Sequence, residues 1–343
     1  MKVRLLPVAA VVVALAVVAA AGTALFLHLP QGEPGAAPVG ITVEPGASAA
    51  EVARALEERG VVRPAWALSR AMRLLGVQHR IHAGEYRFEP PLAPSEVIRI
   101  LGEGRIVPLR VTVPEGLDLH QTAALLAQAG VAGAGGLLAA FSSPAAIADL
   151  DPRATDLEGY LFPETYSFPR NYDPRKVAAE LVGTFRKRFV EVYADEIAGA
   201  SLDLRELVTL ASLVERETAR RDERSRIAGV FVERLARHMR LQCDPTVIYA
   251  LRRAGRWDGD IRRRDLAWDH PYNTYTRAGL PPGPIASPGL ESLQAALRPE
   301  RRGELFFVAG GDGGHVFSRN LADHQRAVRR YLRWRRGSGG GSR

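Results

Sequence analysis

In 343 residues the chain has one cysteine, Cys243, and three lysines. The first scarcity excludes a disulfide scaffold and any multi-cysteine zinc or iron-sulfur site, so packing must hold the fold. The second argues against a pyridoxal-phosphate enzyme, which needs a Schiff-base lysine. Lys2 lies at the extreme N-terminus, and Lys176 and Lys187 lie on an ordinary charged helix. The eight histidines lack HExxH spacing, which removes the usual zinc-hydrolase signature. Cys243 has no recognisable cysteine-hydrolase motif with His238 or His270. Neither a metal nor a cofactor is expected. With 46% hydrophobic and 24% charged residues the chain is neither disordered throughout, nor collagen-like, nor a polytopic membrane protein.

Charge is also missing locally. From Leu5 to Gly32 there is no Lys, Arg, Asp or Glu, and Val8 to Leu29 is almost wholly Ala, Val and Leu. A run of about 20 apolar residues spans a bilayer core. The predicted layout is a cytoplasmic tip at 1–4, one transmembrane helix at 5–29 and a Pro/Gly/Ala linker at 30–40 that lifts the next domain off the membrane. Lys2 and Arg4 before the run, against Glu33 after it, put the N-terminus in the cytoplasm and the body outside an inner membrane. A cleaved signal peptide ending near Ala19-Ala20-Ala21 is the rival, but the run continues past the usual h-region length. The excess of 46 basic over 38 acidic residues would otherwise suggest nucleic acid. A body outside the cytoplasm excludes that partner. The remaining length is too great for one compact domain, so two folded units are expected.

An internal repeat marks the first of them. Ile41 to Val62 aligns without gaps on Val111 to Ala132, pairing Thr42 with Thr112, Val43 with Val113, Gly46 with Gly116, Leu56 with Leu126 and Gly60 with Gly130. Each copy reads as a short strand, a glycine turn, an amphipathic helix and a glycine stop. A second helix at Pro64–Leu75 and an extended piece at Ala83–Phe88, where Tyr86 and Phe88 alternate with charges, complete a strand-helix-helix-strand plan over 41–105. That is the plan of a LysM-like carbohydrate-binding module, and equally that of a plain spacer.

Residues 106–336 read as a mixed α+β catalytic domain, followed by a disordered tail at 337–343. The run LEGYLFPETYSFP, Leu157 to Pro169, surrounds Glu158 and Glu164 with aromatics and reads as an irregular loop, fit either to bind sugar or to close a core. A helix over 204–219 carries Leu204, Leu207, Val208, Ala211 and Val214 on one stripe, with Glu215 inside it. Burial raises the pKa of such a carboxyl toward that of a general acid, unless it simply pairs with an arginine. Glu217 is turned about 200° away and cannot share its pocket. A helix at Ile227–His238, a helix start at Asp244-Pro245 and a Pro/Gly-dense loop from Tyr272 to Gly289 follow. A hairpin turning at Gly311–Gly314 and a basic helix from about Leu321 close the domain.

ASLVERET, MRLQCDPTVIYAL, YNTYTRAGLPPGPIASPG, EGYLFPETYSF and GGHVFSRNLADHQ, in series behind one apolar segment, resemble the YceG-like family of endolytic murein transglycosylases over roughly Ile41 to Trp334. The resemblance implies an α+β enzyme anchored in the inner membrane, with a LysM-like subdomain and peptidoglycan glycan strands as substrate. It implies a lyase that cuts the MurNAc-GlcNAc β-1,4 bond of nascent strands, leaves 1,6-anhydromuramyl ends, terminates elongation and works beside peptidoglycan synthases. By motif match the catalytic glutamate is Glu215. Glu164, Gln242, Asp244, Asn273, Tyr275, His315 and Asn320 are the polar motif residues expected to bind substrate, with Asp244 and Asn320 also placed to cap helices. Cys243 stands where a small polar residue such as threonine is expected. The non-enzymatic alternative is an anchored glycan-binding scaffold of the wall-synthesis or division machinery, with Glu215 structural.

Overall fold

The computed structural model describes residues 6–44 and 46–338, so the expected tip at 1–4 and the tail at 339–343 lie outside the described residues. The chain forms two compact units, residues 1–110 with 167–172, and residues 111–166 with 173–343.

The first unit opens with helix α1 (Leu6–His28), of which Ala10–His28 has a mean hydropathy of 2.6 and contains no fully buried residue. At 1.5 Å per residue those 19 residues extend about 28 Å, long and apolar enough to cross a membrane. Its last turn is fastened to the unit, because Phe26 and Leu27 pack against the core. The expected spacer is fastened as well. Gln31 and Leu92 exchange backbone hydrogen bonds of 2.8 and 2.9 Å, and Gln31 Oε1 accepts from the Arg63 N–H at 2.7 Å. These bonds tie the start of the 30–40 segment to the unit.

β1 (Val39–Val43), α2 (Ala49–Glu58), α3 (Ala65–Leu74), β2 (Gly84–Phe88), α4 (Pro94–Gly102) and β3 (Ile106–Val107) complete the unit. The strands form an antiparallel sheet in the order β1-β2-β3, with Val39 opposite Phe88 and Tyr86 opposite Ile106. Strand alternation sends Tyr86 and Phe88 into the core, where both are fully buried, and leaves Arg87 exposed. These rings are core side chains and offer no platform to a glycan.

β4 (Leu109–Thr112) and α5 (Leu119–Gln128) are the second copy of the repeat. Ser48 caps α2 in a reciprocal box with Glu51, and Asp118 caps α5 with Gln121 in the same way. Gly46 and Gly116 take left-handed φ of 83° and 77° in the strand-to-helix turns. Each helix is followed by a second, α3 in one copy and α6 (Ala134–Phe141) in the other.

The second unit is built around α9 (Leu204–Glu217), whose residues from Leu207 to Val214 are all buried. Before it come β5 (Thr165–Phe168), which pairs with β4, then α7 (Pro174–Phe185) and the short α8 (Ala194–Ala198). The aromatic run before β5 closes a core: Tyr160 is fully buried and its hydroxyl donates to Asp151 at 2.7 Å. After α9 come α10 (Arg224–Ala236), α11 (Asp244–Arg253), the single-turn α12 (Arg263–Leu266) and α13 (Leu290–Leu297). Helices α10, α11 and α13 all pack on α9. The hairpin β6 (Phe306–Ala309) and β7 (His315–Ser318) pairs Ala309 with His315, and α14 (Leu321–Ser338) packs against it, running two residues past the expected boundary at 336.

Gly229 on α10 lies beneath the chain at Glu300, where an added Cβ would sit 2.0 Å from the carbonyl oxygen. Backbone on both sides leaves no room to yield, so Gly229→Ala should cost about 1–3 kcal/mol. Thermal unfolding of the variant checks this, and an unchanged melting temperature would refute the close approach.

Candidate active site

The last turn of α9 presents two carboxylates with different surroundings. Glu215 is inside the protein, its side chain 6% exposed, and every contact it makes is a structural tie. Its Oε1 pairs with Arg224 at 3.3 Å, while Oε2 accepts from the Gly289 N–H at 3.1 Å and from the Ser292 hydroxyl at 2.7 Å. Arg224 in turn reaches Glu115 and Glu291, each at 3.3 Å. Glu215 therefore joins α9 to α10, to the start of α13 and to the end of the Pro/Gly loop. Both of its oxygens are thus taken up by donors from other segments of the chain.

Glu217, two residues on, occupies the other side of the helix. Burial pushes its carboxyl above the usual carboxylate range, and the Asp244 carboxylate nearby pushes the same way. A hydrogen bond from the Cys243 thiol, the His315 ring and the Arg234 guanidinium oppose them. Glu217 thus has the environment of a proton donor.

The groups around Glu217 are fixed from behind. Cys243 is buried at the start of α11; its N–H donates to Thr274 Oγ1 at 3.0 Å, and the Thr246 hydroxyl donates to its carbonyl at 2.7 Å. Tyr275 donates its hydroxyl to Asp244 Oδ1 at 2.5 Å, so Asp244 orients a tyrosine and caps nothing with its side chain. His315 lies on β7, its Nδ1 2.7 Å from Glu223 Oε2 and its N–H donating to the other Glu223 oxygen at 2.9 Å. The exposed Gln242 keeps a left-handed backbone, φ 52°, with its N–H on the Thr274 carbonyl.

Asp244, Tyr275 and His315 are therefore gathered around one carboxylate. Three other expected substrate binders have different employment. Asn273 is completely buried and donates to the carbonyls of Asp265, Leu266 and Trp268, so it holds the loop that carries Tyr275. Asn320 caps α14, accepting from the Asp323 N–H at 2.9 Å. Glu164 pairs with Arg188 at 2.9 Å and with the Thr165 N–H. Arg224 and Glu223 went unnoticed in the sequence. An acid or base nine or fewer residues from Glu215 in a charged helix start is too common a pattern to single out. No group of His, Cys, Asp and Glu among the described residues could hold a metal ion.

A second buried carboxyl underlies the same unit. Glu158, 3% exposed, accepts from the Tyr249 hydroxyl at 3.0 Å and the Leu119 N–H at 3.3 Å. Burial, with the Asp118 carboxylate nearby, pushes its pKa up to about 8.

The YceG-like family model matches residues 41–330. A protein named endolytic murein transglycosylase from Bacillus subtilis (strain 168) is 32% identical over 312 residues, covering 86% of this chain and 85% of its own length. Proteins of the same name from two Streptococcus pneumoniae strains are 29% identical over 86% of this chain, which spans only 58% of their length. The crystal structure of a YceG-like protein from Listeria monocytogenes superimposes with a TM-score of 0.58 at 30% identity, over 84% of this chain and 98% of that one.

Glu158 generates a pH signature. Unfolded it ionises near the ordinary value of 4.5, but folded it keeps its proton to about pH 8. Between those values the native state binds more protons, so its stability falls as pH rises through the window. Glu158→Gln removes this contribution. The melting temperature of the parent should therefore drop relative to the variant's from about pH 5 to pH 8, and a difference independent of pH would contradict the assignment.

Proposed function

The chain belongs to the YceG-like family, and on that premise we propose that Glu217 is the proton donor of its glycan-cleaving reaction. The protein is a peptidoglycan lytic transglycosylase, a lyase. The observation that carries the choice of residue is the contrast within one helical turn: Glu215 is tied to Arg224, Gly289 and Ser292, and Glu217 is buried beside a thiol with a raised pKa.

Hydrolytic glycosidases use two carboxylates, one as acid and one as nucleophile or water-activating base. A lytic transglycosylase needs one, because the 6-hydroxyl of the muramyl residue is a tethered nucleophile with high effective molarity. Glu217 gives its proton to the glycosidic oxygen as the bond to the muramyl C1 breaks, and the GlcNAc leaves with a free hydroxyl. The muramyl O6 then bonds to C1, and its proton returns to Glu217. The product ends in a 1,6-anhydromuramyl ring and no water is consumed. Tyr275, oriented by Asp244, and His315, oriented by Glu223, are placed to hold the sugars on either side of the cut.

The first unit serves as the LysM-like module of the enzyme, and α1 as its single-pass anchor in the inner membrane. Lys2 and Arg4 hold the N-terminus in the cytoplasm, which puts both units on the side where glycan strands grow, beside the synthases that make them. A reporter fused after Gly32 should accordingly be active only outside the cytoplasm. Activity inside would reverse the topology.

Glu217→Gln keeps the shape of the side chain and removes the transferable proton, so turnover should fall at least about 10²-fold with little change in melting temperature. Glu215→Gln should do the reverse, lowering the melting temperature through the unpaired Arg224 while the folded fraction still cleaves. Mass analysis of the products reads both, with 1,6-anhydro ends and no oxygen from labelled water expected from the parent. A fully active Glu217→Gln enzyme would refute the assignment. Labelled reducing ends would mean hydrolysis and a second carboxylate.

A further inference from the structure

A second cleft opens at the other end of α9, enclosing about 910 Å³ between Arg153, Arg205, Glu206, Arg253, His270 and Tyr272. Its volume falls within the range of small-ligand pockets. We propose that this cleft is a distal glycan subsite, holding sugars of the same strand well away from the bond being cut; the proposal rests on the placement of the cut at Glu217.

Two observations connect the cleft to Glu217. Glu206 and Glu217 stand eleven residues apart on α9, which at 1.5 Å and 100° per residue is about 16 Å along the axis and about 20° around it. Both therefore lie on one side of the helix. Tyr272 and Tyr275 are three residues apart on the loop that Asn273 and Thr274 pin from inside. The first lines the cleft, and the second bonds Asp244 beside Glu217. One loop thus contributes a tyrosine beside Glu217 and another to the cleft.

The chemistry of the walls selects the ligand class. Three guanidiniums in one cleft suggest an anion, but each already has its own carboxylate: Arg205 with Asp151 at 2.6 Å, Arg153 with Asp203 at 2.5 Å and Arg253 with Asp156 at 3.5 Å. An acidic peptide would compete with all three. What these pairs leave is a set of planar donors fixed in direction, together with the Glu206 acceptor. Leu280, Pro281, Pro282 and the Tyr272 ring supply apolar surface between them. A pyranose offers the complement, hydroxyls that both donate and accept around an apolar ring face. The wall is also rigid. Arg253 donates to the Tyr249 hydroxyl at 3.1 Å, that hydroxyl donates to the buried Glu158, and the Tyr249 and Tyr272 rings lie 5.0 Å apart. Groups fixed before binding lose little entropy on binding.

The subsite predicts a length-dependent affinity. In the full-length protein, Tyr272→Ala and, separately, the exposed Arg153→Ala should each raise KM for long glycan strands roughly tenfold with kcat unchanged. Strands too short to reach from Glu217 to the cleft should be cut by both variants as by the parent, and Tyr272→Phe should restore the parent KM. Equal losses on long and short strands would make these residues structural and overturn the proposal, as would an unchanged KM on long strands. An effect that disappears on strands stripped of their stem peptides would assign the cleft to peptide and overturn it too. The comparison is made in an active enzyme, so it is independent of the Glu217→Gln result: if that variant retains activity the catalytic reading fails while the length dependence still tests the cleft.

Discussion

The catalytic unit depends on one buried guanidinium. Arg224, its side chain 6% exposed, begins α10 and donates to Glu215 on α9, Glu115 after β4 and Glu291 on α13. A buried charge without partners costs several kcal/mol, so the three segments facing Arg224 are constrained to bring their carboxylates to one point. That constraint favours Glu217 over Glu215 as the proposed acid, because a group that gave up its charge in each catalytic cycle would release the clamp each time. The apolar stripe of α9 buries Glu215 for architecture.

The helix then supplies the acid by its own geometry. Two residues at 100° each turn Glu217 about 200° from Glu215, away from the clamp and toward the first turn of α11 and the hairpin. Two carboxylates on one turn thus have different surroundings, a set of hydrogen-bond donors around one and burial with a raised pKa at the other. The same rigidity explains why an acid at the very end of a helix is usable. α9 is buried from Leu207 to Val214, capped by a reciprocal Asp203–Glu206 box, and held at its far end through Arg216, which donates to the Gly116 carbonyl at 3.0 Å.

The parts of this arrangement that repeat or alternate were legible in the sequence. The two strand-turn-helix copies, their glycine turns and the apolar stripe of α9 follow from local periodicity, and the structure reproduces their boundaries within a few residues. The choice between Glu215 and Glu217 was not legible. Periodicity reports which residues are buried, and burial is shared by a clamp and an acid. The distinction lies in Gly289 and Ser292, more than seventy positions along the chain. The three carbonyl partners of Asn273 were hidden for the same reason, since composition shows only a polar residue in a Pro/Gly loop. The bridge between Gln31 and Leu92, at the start of the 30–40 segment, is invisible to composition.

A single residue that serves as both acid and base must tolerate both charge states, which limits how far burial can be taken. Desolvation by itself would strand the proton on Glu217, since each unit of pKa adds about 1.4 kcal/mol to the cost of the carboxylate. The Asp244 carboxylate adds to that penalty, whereas His315, Arg234 and the Cys243 thiol reduce it. A thiol is a weak donor, so Cys243 steadies the carboxylate less than a hydroxyl at that position would. It keeps its own proton: burial and the adjacent Glu217 both push the thiol well above its ordinary range. The site thus surrounds one carboxyl with a thiol, an imidazole and a guanidinium. Under that arrangement the proton given to the glycosidic oxygen has one place to return when O6 closes the ring, which is Glu217 itself.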